Sequence, residues 1–296
     1  MNASSVSLDE LNAAAPAEFA AKLANVFEHS PWIAEAAAGR RPFSSLAALR
    51  EALLDVIAGA PQERRLGLIR AHPDLANKTQ RAAGLTADSV AEQDGAGLDH
   101  LTDAEFAAFE AANNAYKARF DFPFIICVRR HSKDSILDSF GARLNNTPAA
   151  EEQHALAEIS RIATLRLAQL VHGPDALAVH GRLSTHVLDT HAGRPAAGVA
   201  VELIELSRLG ASRLIAKAVT NADGRTDAPL IHARPLPIGT YELRFAVGDY
   251  FAAQNGTSVA RFLDIVPVRF GIAQPEGHLH VPLLVTPWSY TTYRGS

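Results

Sequence analysis

Two histidines one residue apart, His278-Leu279-His280, lead into the apolar run Val281-Pro282-Leu283-Leu284, and the sequence closes on Tyr293-Arg294-Gly295-Ser296. An ordinary chain end frays and carries little chemistry. This one offers a phenol, a guanidinium, a flexible glycine, a hydroxyl and a carboxylate, which reads as a tail folded back into a site. Earlier in the same stretch, His186 lies in Leu183-Ser184-Thr185-His186-Val187-Leu188-Asp189, and Arg225 follows the turn Asn221-Ala222-Asp223-Gly224. Alternate side chains of a strand share a face, so His278 and His280 point one way and Leu279 the other. Three imidazoles offer proton transfer near neutral pH, and a guanidinium grips planar anions. A His-x-His pair with a third histidine also fits zinc. No carboxylate or cysteine ligand lies nearby in sequence and an arginine is expected close by, so no metal is expected.

A second group of candidates lies far upstream. In Ala71-His72-Pro73-Asp74-Leu75-Ala76 the proline pushes His72 out of helical geometry and presents its ring at a helix end. Glu92 sits close to a glycine-rich loop in Ser89-Val90-Ala91-Glu92-Gln93-Asp94-Gly95-Ala96-Gly97-Leu98. The run Phe122-Pro123-Phe124-Ile125-Ile126-Cys127-Val128 is apolar, and its extended backbone could offer amides to an anion. Arg166 borders the apolar face of its helix. Taken singly these have plain readings: a helix-terminal histidine, a surface glutamate, a core segment and a snorkelling arginine. Cys127, the one cysteine, reads as a small buried hydrophobe.

The elements that must hold these residues change character part-way along the chain. Residues 1–171 are alanine-rich and show three- and four-residue apolar spacing over Ala17–Phe27, Ser45–Ala58, Ala104–Tyr116 and Glu151–Val171. Ser44 or Ser45 can cap the second of these helices, Gly59 can end it, and Thr102 with Glu105 makes a capping box. In the last helix Leu156, Ile159, Ala163, Leu167 and Leu170 share a face. His172-Gly173-Pro174-Asp175 breaks the pattern, and the period then falls to two from Ala178 through Val187 and again at Val199–Leu203 and Tyr241–Phe245. The expectation is two domains: an all-α helical domain over 1–171, a linker at 172–177, and an all-β antiparallel sandwich over 178–296.

Composition narrows the function classes. The 296 residues are 48% hydrophobic and 20% charged with a net charge of −4, which leaves no basic footprint for nucleic acid. No stretch reaches 18 apolar residues, so no membrane span is expected. The first thirty residues lack an apolar leader core, and the sequence does not end on a Ser-Lys-Leu type signal. A cytoplasmic setting is expected.

On the motifs Leu183–Asp189, Asp223-Gly224-Arg225, His278–Leu284 and Tyr293–Ser296, residues 178–296 resemble the transthyretin-related 5-hydroxyisourate hydrolases. The terminal tetrapeptide separates these enzymes from the hormone-carrying transthyretins. Leu279 departs from the tyrosine the family often has. The resemblance implies a transthyretin-like sandwich in which His186 and His280 activate water, Arg225 stabilises substrate oxygens, and Ser296 belongs to the catalytic set. His278, Tyr293, Arg294 and Gly295 would bind substrate. It also implies a homo-oligomer, a dimer or tetramer through the C-terminal domain.

The Ala71–Leu75, Ser89–Leu98 and Phe122–Ile125 motifs resemble 2-oxo-4-hydroxy-4-carboxy-5-ureidoimidazoline (OHCU) decarboxylase over residues 8–171. Asp121 stands where that resemblance expects glycine. It implies an all-helical fold with no cofactor, His72 as acid/base with Glu92 as its charge partner, and substrate held by Arg166 and the backbone of Phe124, Ile125, Ile126, Cys127 and Val128. Pro73, Ser89 and Gln93 would complete the pocket. The two resemblances describe consecutive steps from 5-hydroxyisourate to (S)-allantoin. The alternative is a transthyretin-like binding module fused to a non-catalytic helical assembly domain.

Overall fold

The computed structural model describes residues 5–75, 92, 98, 101–209, 212–255 and 262–295. It separates into two compact units, residues 1–128 with 136–179 and residues 129–135 with 180–296. The segment 172–177, expected as a linker, packs into the first unit. Val171 and His172 pair in parallel with Val6 and Ser7, and the Asp175 carboxylate accepts hydrogen bonds from the amides of Leu46 (2.6 Å) and Ala47 (3.1 Å).

The first unit is helical: α1 Leu8–Ala13, α2 Pro16–Lys22, α3 Trp32–Ala37, α4 Leu46–Ala58, α5 Gln62–Arg70, α6 Asp103–Phe120, α7 Lys133–Arg143 and α8 Pro148–Leu170. Ser45 caps α4 and Thr102 forms a capping box with Glu105 at α6, as their sequence signals require. The helix expected over 17–27 stops at Lys22, and the chain after it turns so that Leu23, Val26, Phe27 and Glu28 all point inward. The short helices α1, α3 and α5 carry too few turns to show a period. Asp121, where glycine was expected, ends α6 in the left-handed region (φ 60°), which an aspartate tolerates better than most residues.

Behind the Phe122–Val128 segment lies a buried polar cluster. Glu151, fully buried in the first turn of α8, accepts from Arg143 Nε (2.8 Å), Asn146 Nδ2 (2.7 Å) and the Tyr116 hydroxyl. Arg143 also donates to the Ile125 carbonyl (2.7 Å) and lies over the Phe124 ring at 4.3 Å. Phe124 stacks in turn on Phe140. One guanidinium therefore fixes both a backbone carbonyl and a ring of the extended segment.

The second unit is a two-layer sandwich. Its strands are β3 Gly181–Asp189, β4 Arg194–Pro195, β5 Ala200–Glu205, β6 Arg213–Val219, β7 Ile231–Arg234, β8 Gly239–Ala246, β9 Ile265–Ile272, β10 His278–Thr286 and β11 Ser289–Thr292, counted after the short first-unit strands β1 Val6–Ser7 and β2 Val171–His172. One sheet runs β11-β10-β3-β4 with β7 also on β3, and the other runs β6-β5-β8-β9. The sandwich is not wholly antiparallel, because β10 pairs with β3 in parallel from His278↔Arg182 to Val285↔Asp189. Nor is the unit purely β, since helix α9 spans Val247–Asn255. Leu183, Val187, Leu283 and Val285 from the first sheet meet Leu203, Leu243 and Phe245 from the second in the core. Among the described residues, every paired strand other than Val6–Ser7 and Val171–His172 belongs to this unit.

Arg143→Met should leave the Glu151 carboxylate buried without its cation. The expected loss is about 3–5 kcal/mol of helical-unit stability, read from urea unfolding followed by far-ultraviolet circular dichroism.

Candidate active sites

The first site forms where α5 stops. The amide of His72 bonds to the Ile69 carbonyl (3.1 Å), and Pro73 prevents the helix from continuing. His72 is buried, and its Nδ1 lies 2.9 Å from the Leu68 carbonyl. A carbonyl only accepts, so Nδ1 carries the hydrogen and Nε2 keeps its lone pair. Burial pushes the ring down to about 4, with the Leu68 bond and the Glu28 charge partly opposing and Arg166 and His29 adding to the fall. His72 is a neutral base at pH 7.

Its pocket has about 370 Å³ of empty space including the mouth, and is lined by His72, Pro73, Leu75, Glu92, Phe124, Ile125, Ile126, Val128, Ile162 and Arg166. Arg166, buried on α8, is gripped side-on by Glu92, with Nε–Oε1 and Nη2–Oε2 both 3.0 Å. Its Nη1 reaches Glu28 Oε2 (3.1 Å) and the Asn25 carbonyl (3.2 Å). Burial alone would weaken the guanidinium's hold on its proton, but the bonds and charge of Glu92 and then Glu28 outweigh it and raise its value. The expected pairing of Glu92 with His72 is thus not what the structure shows. Glu92 spends both oxygens on Arg166, because a planar guanidinium matches a carboxylate in two bonds where an imidazole offers one.

The second site lies on the face shared by β3 and β10. Parallel register sets His280 opposite Ser184 and Pro282 opposite His186, so period two brings His278, His280, Ser184 and His186 to one side. Leu279 packs against the hydrophobic core instead. The Ser184 hydroxyl stands 3.1 Å from His278 Nε2 and 2.9 Å from His280 Nδ1. It can donate to only one of them, so at least one of these two ring nitrogens carries a hydrogen and donates to the hydroxyl. Burial lowers His186 and His280, and the Arg225 charge lowers both further. His186 Nε2 is buried and, among the described residues, has no hydrogen-bond partner.

Two glycines let backbone reach these rings. Gly224 adopts φ 71°, in a turn where the Asn221 side chain accepts from the amides of Asp223 (3.0 Å) and Arg225 (3.2 Å). A Cβ there would fall 2.4 Å from the Val187 carbonyl. Gly295 donates its amide to the His280 carbonyl (2.9 Å), and a Cβ would fall 2.7 Å from His280 Cδ2. The folded-back tail is therefore real through Gly295. Among the described residues no group of three His, Cys, Asp or Glu side chains is placed to hold a metal.

Known proteins match each half. The family model for OHCU decarboxylase covers residues 12–168, and the HIUase/Transthyretin family model covers 183–295. A 5-hydroxyisourate hydrolase of Halalkalibacterium halodurans is 54% identical over 117 residues, 39% of this chain and 98% of that protein. A 2-oxo-4-hydroxy-4-carboxy-5-ureidoimidazoline decarboxylase of Halalkalicoccus jeotgali is 36% identical over 165 residues, 56% of this chain and 92% of that one. This chain belongs to both families.

A crystal structure of (S)-allantoin synthase matches across nearly the whole length, at 35% identity and a TM-score of 0.50, covering 98% of this chain and 100% of that one. Within the decarboxylase half, the structure gathers His72, Pro73, Glu92, Phe124, Ile125, Ile126, Val128 and Arg166 around one pocket. Cys127 does not line it, and its amide is committed to the Glu158 carboxylate (2.9 Å). Within the hydrolase half, His186, Arg225, His280 and Gly295 come together through isolated bridges between 186 and 225 and between 280 and 295. His278 and Arg294 line a neighbouring cavity with Gln274 and Leu279, and Tyr293 stays exposed. Ser89, Gln93 and Ser296 lie outside the described residues. Sequence reading passed over Ser184, Asn221 and Glu28. Ser184 was legible as the residue two before His186 on the same face, whereas nothing local marks Glu28 beyond a charge in the apolar run Val26-Phe27.

The neutral form of His72 favours the fold. Its folded value near 4 lies below the unfolded value near 6.5, so this contribution is complete above pH 6.5 and is lost as pH falls toward 4. Urea unfolding across that window should show up to about 3 kcal/mol of lost stability, and His72→Gln should remove that part of the pH dependence. Gly295→Ala should push the His280 ring aside and cut 5-hydroxyisourate hydrolysis at least 10-fold while OHCU decarboxylation holds its rate, measured with each substrate separately.

Proposed function

We infer that this chain is a bifunctional enzyme of urate degradation, hydrolysing 5-hydroxyisourate to OHCU and then decarboxylating OHCU stereospecifically to (S)-allantoin. The observation that carries the reading is the presence, in one chain, of two sites each built on a neutral imidazole and a guanidinium, in families whose reactions are consecutive.

In the hydrolase half, His186 and His280 hold and activate a water. The water oxygen bonds to a cyclic acyl carbon while its proton passes to an imidazole nitrogen. Arg225 takes the charge that develops on the acyl oxygen. The ring C–N bond then breaks, the proton goes to the departing nitrogen, and a carboxylate is left. His278, Tyr293, Arg294 and Gly295 shape the pocket, and Ser296 joins the reacting set. This half works as a homo-oligomer, a dimer or tetramer, a reading supported by the exposed Trp288, Tyr290 and Tyr293 on and beside β11.

In the decarboxylase half, the bond from the ring to the carboxylate breaks and carbon dioxide leaves. The electron pair delocalises over the ring to the neighbouring nitrogen, which takes up one proton from water, so no metal or organic cofactor is needed as a sink. His72, neutral and with the Nε2 lone pair available, takes the substrate hydroxyl proton and returns a proton to the carbon bearing the ureido group. Delivery from one face fixes the hand of the product. Arg166 and the backbone of Phe124, Ile125, Ile126 and Val128 hold the substrate with Pro73, Ser89 and Gln93. No described helix is long and apolar enough to cross a membrane, and both substrates are small molecules. A cytoplasmic setting suits a chain whose one cysteine is a buried thiol.

Freshly made 5-hydroxyisourate should give optically active allantoin in the presence of the protein, followed by ultraviolet absorbance and circular dichroism. Allantoin that forms no faster than without protein, and racemic, would sink the assignment. His72→Gln should leave ring opening intact and slow decarboxylation roughly 100- to 10,000-fold. His186→Gln, or removal of residues 293–296, should do the reverse.

A further inference from the structure

Glu28 is 2% exposed, in the turn between α2 and α3, and it does not line the decarboxylase pocket. Burying a carboxylate is costly unless it is paired, and its partner is Arg166 at 3.1 Å, the residue that Glu92 holds from the other side. The chain leaves this spot through His29 at φ 44°, a left-handed conformation uncommon for residues other than glycine and one that histidine takes more readily than most. The turn is thus shaped to insert Glu28 and then escape to the surface.

The charges around His72 show what the insertion supplies. Glu28 and His29 face it from the turn, Arg166 from α8, and Glu92 stands across the pocket. Asp74, two residues on, is tied to Lys117 at 2.7 Å. Of these charges, Glu28 favours a proton on His72 and Arg166 disfavours one. A buried imidazolium formed in mid-reaction therefore meets a compensating charge already in place, without reorganisation.

We propose that Glu28 is a positioning residue for decarboxylation: from behind the pocket wall it provides the negative charge that lets His72 carry a proton between the two halves of the reaction. This rests on the decarboxylase reading above. Because Glu28 acts on a proton-bearing state rather than on substrate directly, its loss should fall on kcat and spare KM.

The test uses the full chain with freshly generated OHCU, comparing Glu28→Gln, Glu28→Asp and His72→Gln with the parent. Glu28→Gln should lower kcat for OHCU at least 10-fold with KM within about 3-fold, and ring opening should hold its parent rate as an internal control for an intact chain. Glu28→Asp keeps the charge on a shorter arm and should recover most of kcat. Glu28→Gln with the parent's kcat overturns the proposal, and so does a loss that falls on KM alone. Glu28→Asp at or below Glu28→Gln also overturns it, because shape rather than charge would then matter. If Glu28→Gln loses the helical signal in circular dichroism, the Asp variant decides alone, and its failure in a folded chain counts against the charge role. Should the parent itself make no allantoin above the spontaneous rate, the decarboxylase reading fails. Should the parent be active and His72→Gln inactive while Glu28→Gln matches the parent, only the present inference fails.

Discussion

An imidazole taken out of water holds a proton weakly, and both units are organised around that cost. His72, His186 and His280 all fall below the ordinary histidine range with burial as the leading cause. A neutral ring with one nitrogen tied down and the other facing a pocket is a ready base. The apolar walls supply the burial. In the helical unit these are Phe124, Ile125, Ile126 and Ile162. In the sandwich the rings stand on strands whose opposite faces, Leu183, Val187, Val281 and Leu283, form the core.

Burial on this scale requires that every charge nearby be matched. The helical unit meets the requirement with two arginines, Arg143 partly buried and Arg166 buried. Arg143 with Glu151 shapes the extended segment that walls the pocket, and Arg166 with Glu28 and Glu92 ties three separate stretches of chain around His72. The sandwich uses closeness of backbone instead. Gly224 and Gly295 sit where any Cβ would strike a neighbour, and this brings a turn and a tail against His186 and His280 without burying further charge.

Much of this was legible beforehand. The capping box at Thr102, the stop at His72-Pro73 and the shared face of His278 and His280 are local, and each followed from its own few residues. The helix stop at Lys22, the parallel pairing of β10 with β3 and the Glu92–Arg166 pair did not follow. Period two is the same for parallel and antiparallel strands, so alternation alone could not reveal that the sheet is mixed. Likewise, a glutamate near a glycine-rich loop carries no sign of whether a histidine or an arginine will claim it.

The sequence by itself marked candidate chemical residues, many of the elements that carry them and the face that strand residues share, because backbone propensity, capping and side-chain period act over a few neighbours. Only the tertiary structure decided which of them meet. His280 finds Ser184 across 96 residues, Arg166 finds Glu28 across 138, and Gly295 reaches back to His280. Such partners are selected by how the whole core packs and by the cost of leaving a buried charge unpaired, and no local stretch of chain encodes either.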